Sequence, residues 1–345
     1  MSTLIVIGGQ YGSEGKGAFV AHLTDPRFQG NKNPFLVVRT GGPNAGHSMK
    51  YNDEVFKMRH IPCAWHNPNA VLALGPGAVI DPEYLLEEEI PQVEAAGISI
   101  RDRFFIDPMC AIITDEDRQE GKKRIATIGG TGKGVGGATA RRVLREGPIA
   151  RDWPSLQPFL RDVSELSNTF SSATILIEST QGFGLSLTRS GFYPYTTNRD
   201  ITPGAVMNES GVSFCGEEDV VLVLRTFPIR VAGPSGPMVD EISWEELERQ
   251  SDGYIKPERT TVTNKIRRVG LWDPDLARQA VIACSPAAIA LTFFDYWRPD
   301  LAYQTKLDAD AYRRIEMVEK QLGVSVVWVS TGFQCITRVK GGRRA

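Results

Sequence analysis

Four glycine-rich loops, at 8–17, 41–46, 129–137 and 232–236, each fall close to the end of a short apolar run, and this repeated pairing constrains the fold more than any other feature of the 345-residue chain. The first run, 3–7 (TLIVI), is apolar on both sides of its alternation. That is the pattern of a strand covered on both faces rather than one. Similar runs lie at 35–39, 70–74, 174–177, 219–224, 288–294 and 325–329, and helical segments are expected at 15–24, 82–95, 244–249 and 309–322. Buried strands alternating with helices predict an α/β fold, an open and mostly parallel central sheet. Ligands of such sheets gather beyond the carboxyl ends of the strands, which is where the glycine loops fall. No repeat, low-complexity tract or linker divides the chain, so residues 1–345 are expected to form one catalytic domain.

Composition narrows the partners. With 39 Lys+Arg against 41 Asp+Glu, the net charge of -2 lacks the basic excess of a nucleic-acid binder. The five cysteines (Cys63, Cys110, Cys215, Cys284, Cys335) are scattered and never spaced as CxxC, which argues for a reducing, cytoplasmic setting without disulfides. The longest apolar stretch, 280–294, is broken by Ser285 and Pro286, so no membrane span is expected. His60, Cys63 and His66 lack an evident fourth ligand for zinc.

The loops carry the chemistry. Gly12-Ser13-Glu14-Gly15-Lys16-Gly17 lies between a strand and a helix, where backbone N–H groups and a helix N-terminus hold phosphate and Lys16 supplies a cation. It is not a Walker A loop, because Gln10 and Gly17 stand where the first glycine and the Ser/Thr belong. In the second loop, Gly41-Gly42-Pro43-Asn44-Ala45-Gly46-His47-Ser48, His47 is one of only four histidines and is a candidate general acid. The third loop contains a GxGxxG match over 132–137, with Asp152 about twenty residues on, so a dinucleotide-binding oxidoreductase is a formal alternative. Arg141 and Arg142 after it suit phosphate recognition.

Taken in order, GSEGKG at 12–17, GGPNAGH at 41–47, IGGTGKG at 128–134, Gln181-Gly182, YPYTT at 193–197, RRVG at 267–270 and Ser330-Thr331-Gly332 resemble adenylosuccinate synthetase across nearly the whole chain. The resemblance implies a large single α/β domain akin to the P-loop NTPases, normally a homodimer, that uses a nucleoside triphosphate and magnesium to join aspartate to C6 of a 6-oxopurine nucleotide. By family position Ser13, Lys16, His47 and Gln181 are the catalytic candidates. The donor nucleotide falls to Gly15, Lys16, Gly17, Ser48, Phe293, Asp295, Ser330 and Gly332. The acceptor falls to Ser13, Asn44, Gly130, Thr131, Gln181, Thr197 and Arg141, the last reaching from a partner subunit. Aspartate falls to Val262, Thr263, Lys265 and Arg267, and magnesium to Ser13 and Gly46.

Three departures from the family pattern shape the expected substrates. Ser13 replaces the aspartate of GDEGKG, and a hydroxyl is a poorer base and metal ligand than a carboxylate, though it leaves room near N1 and C2 of the purine. The guanine-reading TKLD run appears as Thr292-Phe293-Phe294-Asp295, and Phe333 replaces a proline, which favours stacking a different base. The TTGRRRR run appears as 262–268 (VTNKIRR), trading an arginine for Lys265. The serine form resembles the family's phage branch, the 2-aminoadenylosuccinate synthases, which take dGMP with ATP as donor. The rival readings are an ordinary synthetase acting on IMP with GTP, and an inactive nucleotide-binding paralogue.

Overall fold

In the computed structural model, which describes residues 2–29, 35–170, 173–260 and 264–339, the apolar runs pair into a nine-stranded sheet. Its strands are β1 (Ser2–Gly8), β2 (Phe35–Arg39), β3 (Ala70–Leu74), β4 (Phe104–Ile106), β5 (Thr174–Glu178), β6 (Glu218–Arg225), β7 (Ala288–Thr292), β8 (Val326–Ser330) and β9 (Ile336–Arg338). Across the sheet the order is β9-β8-β7-β6-β1-β5-β2-β3-β4, parallel throughout except for the β8–β9 edge pair. The expected α/β single domain built on a large, mostly parallel sheet is thus the architecture observed.

Alternation along each strand feeds two apolar layers. Val6, Val37 and Leu72 face a cluster with Phe19 and Val20 of α1 (Lys16–Leu23), while Ile5, Ile7, Leu36 and Val38 face the other side. There they pack with Leu276 and Ala280 of α3 (Pro274–Cys284) and Ile315 and Val318 of α4 (Ala309–Leu322), counting α2 as Val135–Leu144. Each fully buried Val, Leu or Ile contributes roughly 1.5–3 kcal/mol, several times an exposed hydrogen bond, so these layers fix the sheet.

Some elements differ from expectation for local reasons. The strand expected over 288–294 stops at Thr292, because Phe293 adopts φ 55° and Phe294 opens a short helix, Phe294–Trp297. The helix expected over 82–95 forms as Pro82–Tyr84, a π-helical turn Leu85–Glu89 and Ile90–Ala95; Pro91 has no N–H to give to the preceding turn, and the widened turn absorbs that loss. No strand precedes the 132–137 glycine string, which instead follows the helix Ile125–Ile128, so the dinucleotide fingerprint lacks its strand–turn–helix setting. Among the described residues, no helix is long and apolar enough to cross a membrane.

Candidate functional site

The loops that leave the carboxyl ends of β1, β2, β5, β6, β7 and β8 open onto one cleft of about 690 Å³. Its floor is the first glycine loop. Gly12 (φ 84°), Ser13 (φ 61°) and Gly15 (φ 85°) take left-handed conformations, which bend the loop tightly around the buried carboxylate of Glu14. That carboxylate accepts from the backbone N–H groups of Gln10 (3.1 Å) and Gly12 (2.9 Å) and from Lys16 Nζ (2.6 Å). Lys16 also donates to the Gln181 carbonyl, so its ammonium is held rigidly under the cleft. A Cβ on Gly8 would come within 2.5 Å of Glu14 and 2.7 Å of Lys16 Nζ, which is why glycine ends β1. Gly15 caps α1 without a side chain and leaves its first N–H groups free to face an anion.

His47 begins the hairpin strand His47–Tyr51, and its Nδ1 pairs with Glu178 Oε1. Parallel register sets Glu178, the last residue of β5, beside Arg39, the last of β2, and their side chains meet at 3.3 Å. Glu178 accepts in addition from the Cys63 N–H at 2.7 Å. Burial first, and then Arg39, push the His47 pKa down to about 4, although Glu178 opposes them. The imidazole is therefore neutral at pH 7, with Nδ1–H given to Glu178 and Nε2 left as the ring nitrogen for the cleft. His60 is employed elsewhere: its Nδ1 pairs with Glu89 at 2.8 Å and its Nε2 accepts from Asp81 N at 3.1 Å. Among the described residues, the group of side chains close enough to share a metal is His47, Cys63 and Glu178, and not His60, Cys63 and His66.

The acceptor candidates Asn44, Gly130, Thr131, Gln181 and Thr197 converge on this cleft, as do Gly17, Gly46 and Ser48. Arg141 does not. It projects from α2 to pair with Asp117 (Nε to Oδ1 2.9 Å) away from the cleft of its own chain.

On the opposite wall Arg267 donates from Nη1 to Ser13 Oγ at 2.5 Å and from Nε to the Arg259 carbonyl at 3.3 Å. A guanidinium on Ser13 Oγ opposes a divalent cation there, so Ser13 does not suit the magnesium role expected for it. Lys265 is exposed and lies outside the cleft, which corrects its expected place in the aspartate site. Val262 and Thr263 lie outside the described residues. Phe293, Asp295, Ser330, Gly332 and Phe333 form the far end of the cleft.

Several groups in or behind the cleft walls had no part in the sequence expectation. Arg225, the buried last residue of β6, lays its guanidinium 3.8 Å from the Phe293 ring centroid and bonds Glu258 at 2.5 Å. Tyr254 donates to Asp295 Oδ2 at 2.7 Å, and Arg230 stacks over Tyr11 at 4.3 Å. The one signal for Arg39, Glu178 and Arg225 is positional: each is a charge that closes an apolar run, where a buried strand meets its loop.

A fixed ammonium, an oriented neutral imidazole and free backbone N–H groups around one cavity can stabilise charge moving through a phosphoryl group. A family model described as adenylosuccinate synthetase matches residues 5–154 and 149–299, and the adenylosuccinate synthetase of Pyrococcus horikoshii is 36% identical over 341 residues, 96% of each protein. The chain belongs to the adenylosuccinate synthetase family. It is accordingly a C–N-forming ligase that acts on aspartate and a purine nucleotide. The adenylosuccinate synthetase of Methanococcus maripaludis is 37% identical over 341 residues, 96% of this chain and 97% of that protein. Two solved structures share the fold. That of Plasmodium falciparum adenylosuccinate synthetase aligns with a TM-score of 0.85 at 20% identity, covering 99% of this chain and all of that one. That of the cyanophage S-2L succinoaminodeoxyadenylate synthetase, bound to dGMP and to dATP as energy donor, aligns at 0.80 and 25% identity, covering 98% of this chain and 95% of that one.

Proposed function

We propose that this synthetase joins L-aspartate to C6 of dGMP at the expense of ATP, giving the 2-amino form of deoxyadenylosuccinate. The observation that carries the reading is Ser13, a short neutral side chain under Arg267 at the loop position where the family pattern has a carboxylate. The likeness to the cyanophage enzyme, whose structure holds dGMP and dATP, supports it.

The chemistry runs in two displacements. O6 of the purine attacks the γ-phosphorus, the bond to the β-phosphate oxygen breaks and ADP leaves. The aspartate amine then attacks C6, and the C6–O6 bond breaks to release phosphate. In the first step Lys16, the α1 N–H groups and His47 Nε2 meet charge as it shifts onto the transferred group. Incoming phosphate charge favours the protonated ring, against the downward push of burial and Arg39. Gln181, Asn44, Gly130, Thr131 and Thr197 hold the acceptor, and Arg267 takes a carboxylate of aspartate. Ser13 cannot serve as a base of useful strength, so the N1 proton passes to water or a phosphate oxygen while Arg267 favours the anionic purine.

Gly46 lines the cleft, and its carbonyl, a hard oxygen ligand, would hold magnesium, which would supply charge neutralisation on the phosphates. Gly15, Gly17, Ser48, Ser330 and Gly332 shape the donor site, with Phe293 stacking the base. Because Arg141 points away from its own cleft, we assign it to the acceptor phosphate of a partner subunit in a homodimer.

A second reading has its own support. The curated relatives are adenylosuccinate synthetases, which favours IMP with GTP, and Asp295 Oδ1, unpartnered among the described residues, suits the N–H donors of guanine in GTP. The test is a crossed incubation of IMP, GMP and dGMP with ATP and GTP, in aspartate and magnesium, with succino products identified by mass. The proposal expects dGMP with ATP to be fastest; IMP with GTP fastest establishes the second reading.

A further inference from the structure

Three carboxylates line the cleft among the described residues: Glu14, Glu258 and Asp295. Two of them are placed for other work. Glu14 is buried under the first glycine loop, where it accepts from two backbone N–H groups and from Lys16. Asp295 stands at the far end of the cleft, with Oδ2 on the Tyr254 hydroxyl. Glu258 is 21% exposed at its side chain and sits beside Arg267, whose backbone N–H reaches its carbonyl at 2.9 Å. It has had no part in the two displacements.

Its neighbours hold it as an anion close to Ser13. Oε1 accepts from Arg225 Nη2 at 2.5 Å and from the Tyr296 hydroxyl at 3.0 Å, whereas Oε2 accepts from Arg225 Nη1 at 3.2 Å. The same Nη1 donates to the Ser13 carbonyl at 3.1 Å, so one nitrogen bridges the carboxylate and the first glycine loop. Burial pushes the Glu258 carboxyl up, but Arg225, Arg267 and Tyr296 outweigh it and hold the group below the usual carboxylate range. A carboxylate oxygen accepts more than one hydrogen bond, which leaves Oε2 capacity for a donor from the cleft.

We infer that Glu258 is the base that takes the N1 proton of the acceptor purine, through one water, in place of the carboxylate that position 13 lacks. As O6 attacks the γ-phosphorus, the C6–O6 double bond becomes single and the N1–H electron pair closes the N1–C6 double bond. The N1 proton passes to the water, a proton of that water passes to Glu258 Oε2, and ADP leaves with the electrons of the broken P–O bond. The carboxyl then returns its proton to solvent. Position matters more here than strength, because phosphorylation of O6 turns N1–H into the acid of a cationic lactim and a well-placed carboxylate suffices. The inference rests on the two-displacement reading above, and adds the group that receives the proton.

The test compares turnover of dGMP with ATP, aspartate and magnesium by the wild type and by Glu258→Gln from pH 7 to pH 9.5. At pH 7 the variant should turn over about two orders of magnitude more slowly, with KM for both nucleotides changed far less. Toward pH 9.5 guanine N1 sheds its proton to solvent, so the gap between the two proteins should narrow roughly tenfold, whereas a merely structural role leaves it constant. Should Glu258→Gln be unstable because it strands the buried Arg225 cation, Arg225→Gln added to it removes that charge and should show the same narrowing. A gap that stays constant with pH, or variant turnover near that of the wild type at pH 7, overturns the role of Glu258 and leaves the choice of acceptor standing. Faster wild-type turnover of IMP than of dGMP overturns that choice, and the same comparison run on IMP then decides the role of Glu258.

Discussion

Ser13→Asp perturbs the residue on which the proposed acceptor choice turns. Ser13 has φ 61°, a region that aspartate tolerates better than most residues, so the variant keeps the loop. Arg267 Nη1 lies 2.5 Å from Ser13 Oγ, and a carboxylate there replaces a single hydrogen bond with a charge-assisted pair of about twice the strength. The larger anionic group removes space and hydroxyl from the edge of the purine that carries the 2-amino group. A buried amine without a partner costs about 1–3 kcal/mol. That converts to roughly a 5- to 150-fold change in acceptor ratio, away from dGMP and toward IMP, whose N1–H gains a carboxylate acceptor. The assay is competition between dGMP and IMP in one reaction, read as the ratio of the two succino products, with melting temperature recorded for both proteins. A folded variant whose ratio equals that of the wild type refutes the reasoning and moves acceptor selection to another part of the cleft.

His47→Ala and Lys16→Ala should each lower turnover by roughly two orders of magnitude or more, because both act on charge that develops in phosphoryl transfer. For His47→Ala, nucleotide affinity measured by calorimetry should change far less, and normal turnover in either variant would remove that residue from the mechanism. Phe293→Lys restores a cation beside Asp295 and should move donor preference toward GTP when ATP and GTP compete in one reaction; an unchanged ratio would exclude Phe293 from donor choice. Burial, reinforced by Arg39 at His47, pushes the pKa of both His47 and His66 down to about 4, so between pH 6.5 and 4 the folded state binds fewer protons than the unfolded chain. Their contribution to stability is complete above pH 6.5 and is lost as pH falls through that window, by up to about 3 kcal/mol each. Urea unfolding at pH 7 and pH 5 checks the sign, and His66→Asn should flatten the dependence.

Much of this architecture is legible from apolar runs because a strand buried on both faces leaves little freedom of composition. The strands over 35–39 and 70–74 and the helix over 309–322 are read to the residue. Where the reading stops short, the reason is chemical. The runs read as 174–177 and 219–224 continue by one residue into Glu178 and Arg225, charges that hydropathy places outside a strand and that folding buries as partners of His47, Arg39 and Glu258. The catalytic loops are visible through their glycines, whereas Glu14 is hidden, since nothing local shows that its carboxylate turns inward to bind two backbone N–H groups and Lys16. Tyr254 and Asp295 lie 41 residues apart and meet only through the tertiary fold.

The central claim is that this ligase activates O6 of a 2-aminopurine deoxynucleotide. A mixture of dGMP labelled with oxygen-18 at O6 and an equal amount of unlabelled IMP, incubated with ATP, aspartate and magnesium, tests it through the mass of the released phosphate. Because O6 leaves with the phosphoryl group, the account predicts that most of the phosphate carries oxygen-18 and that the main product is the 2-amino succino nucleotide. Unlabelled phosphate formed together with adenylosuccinate would contradict it.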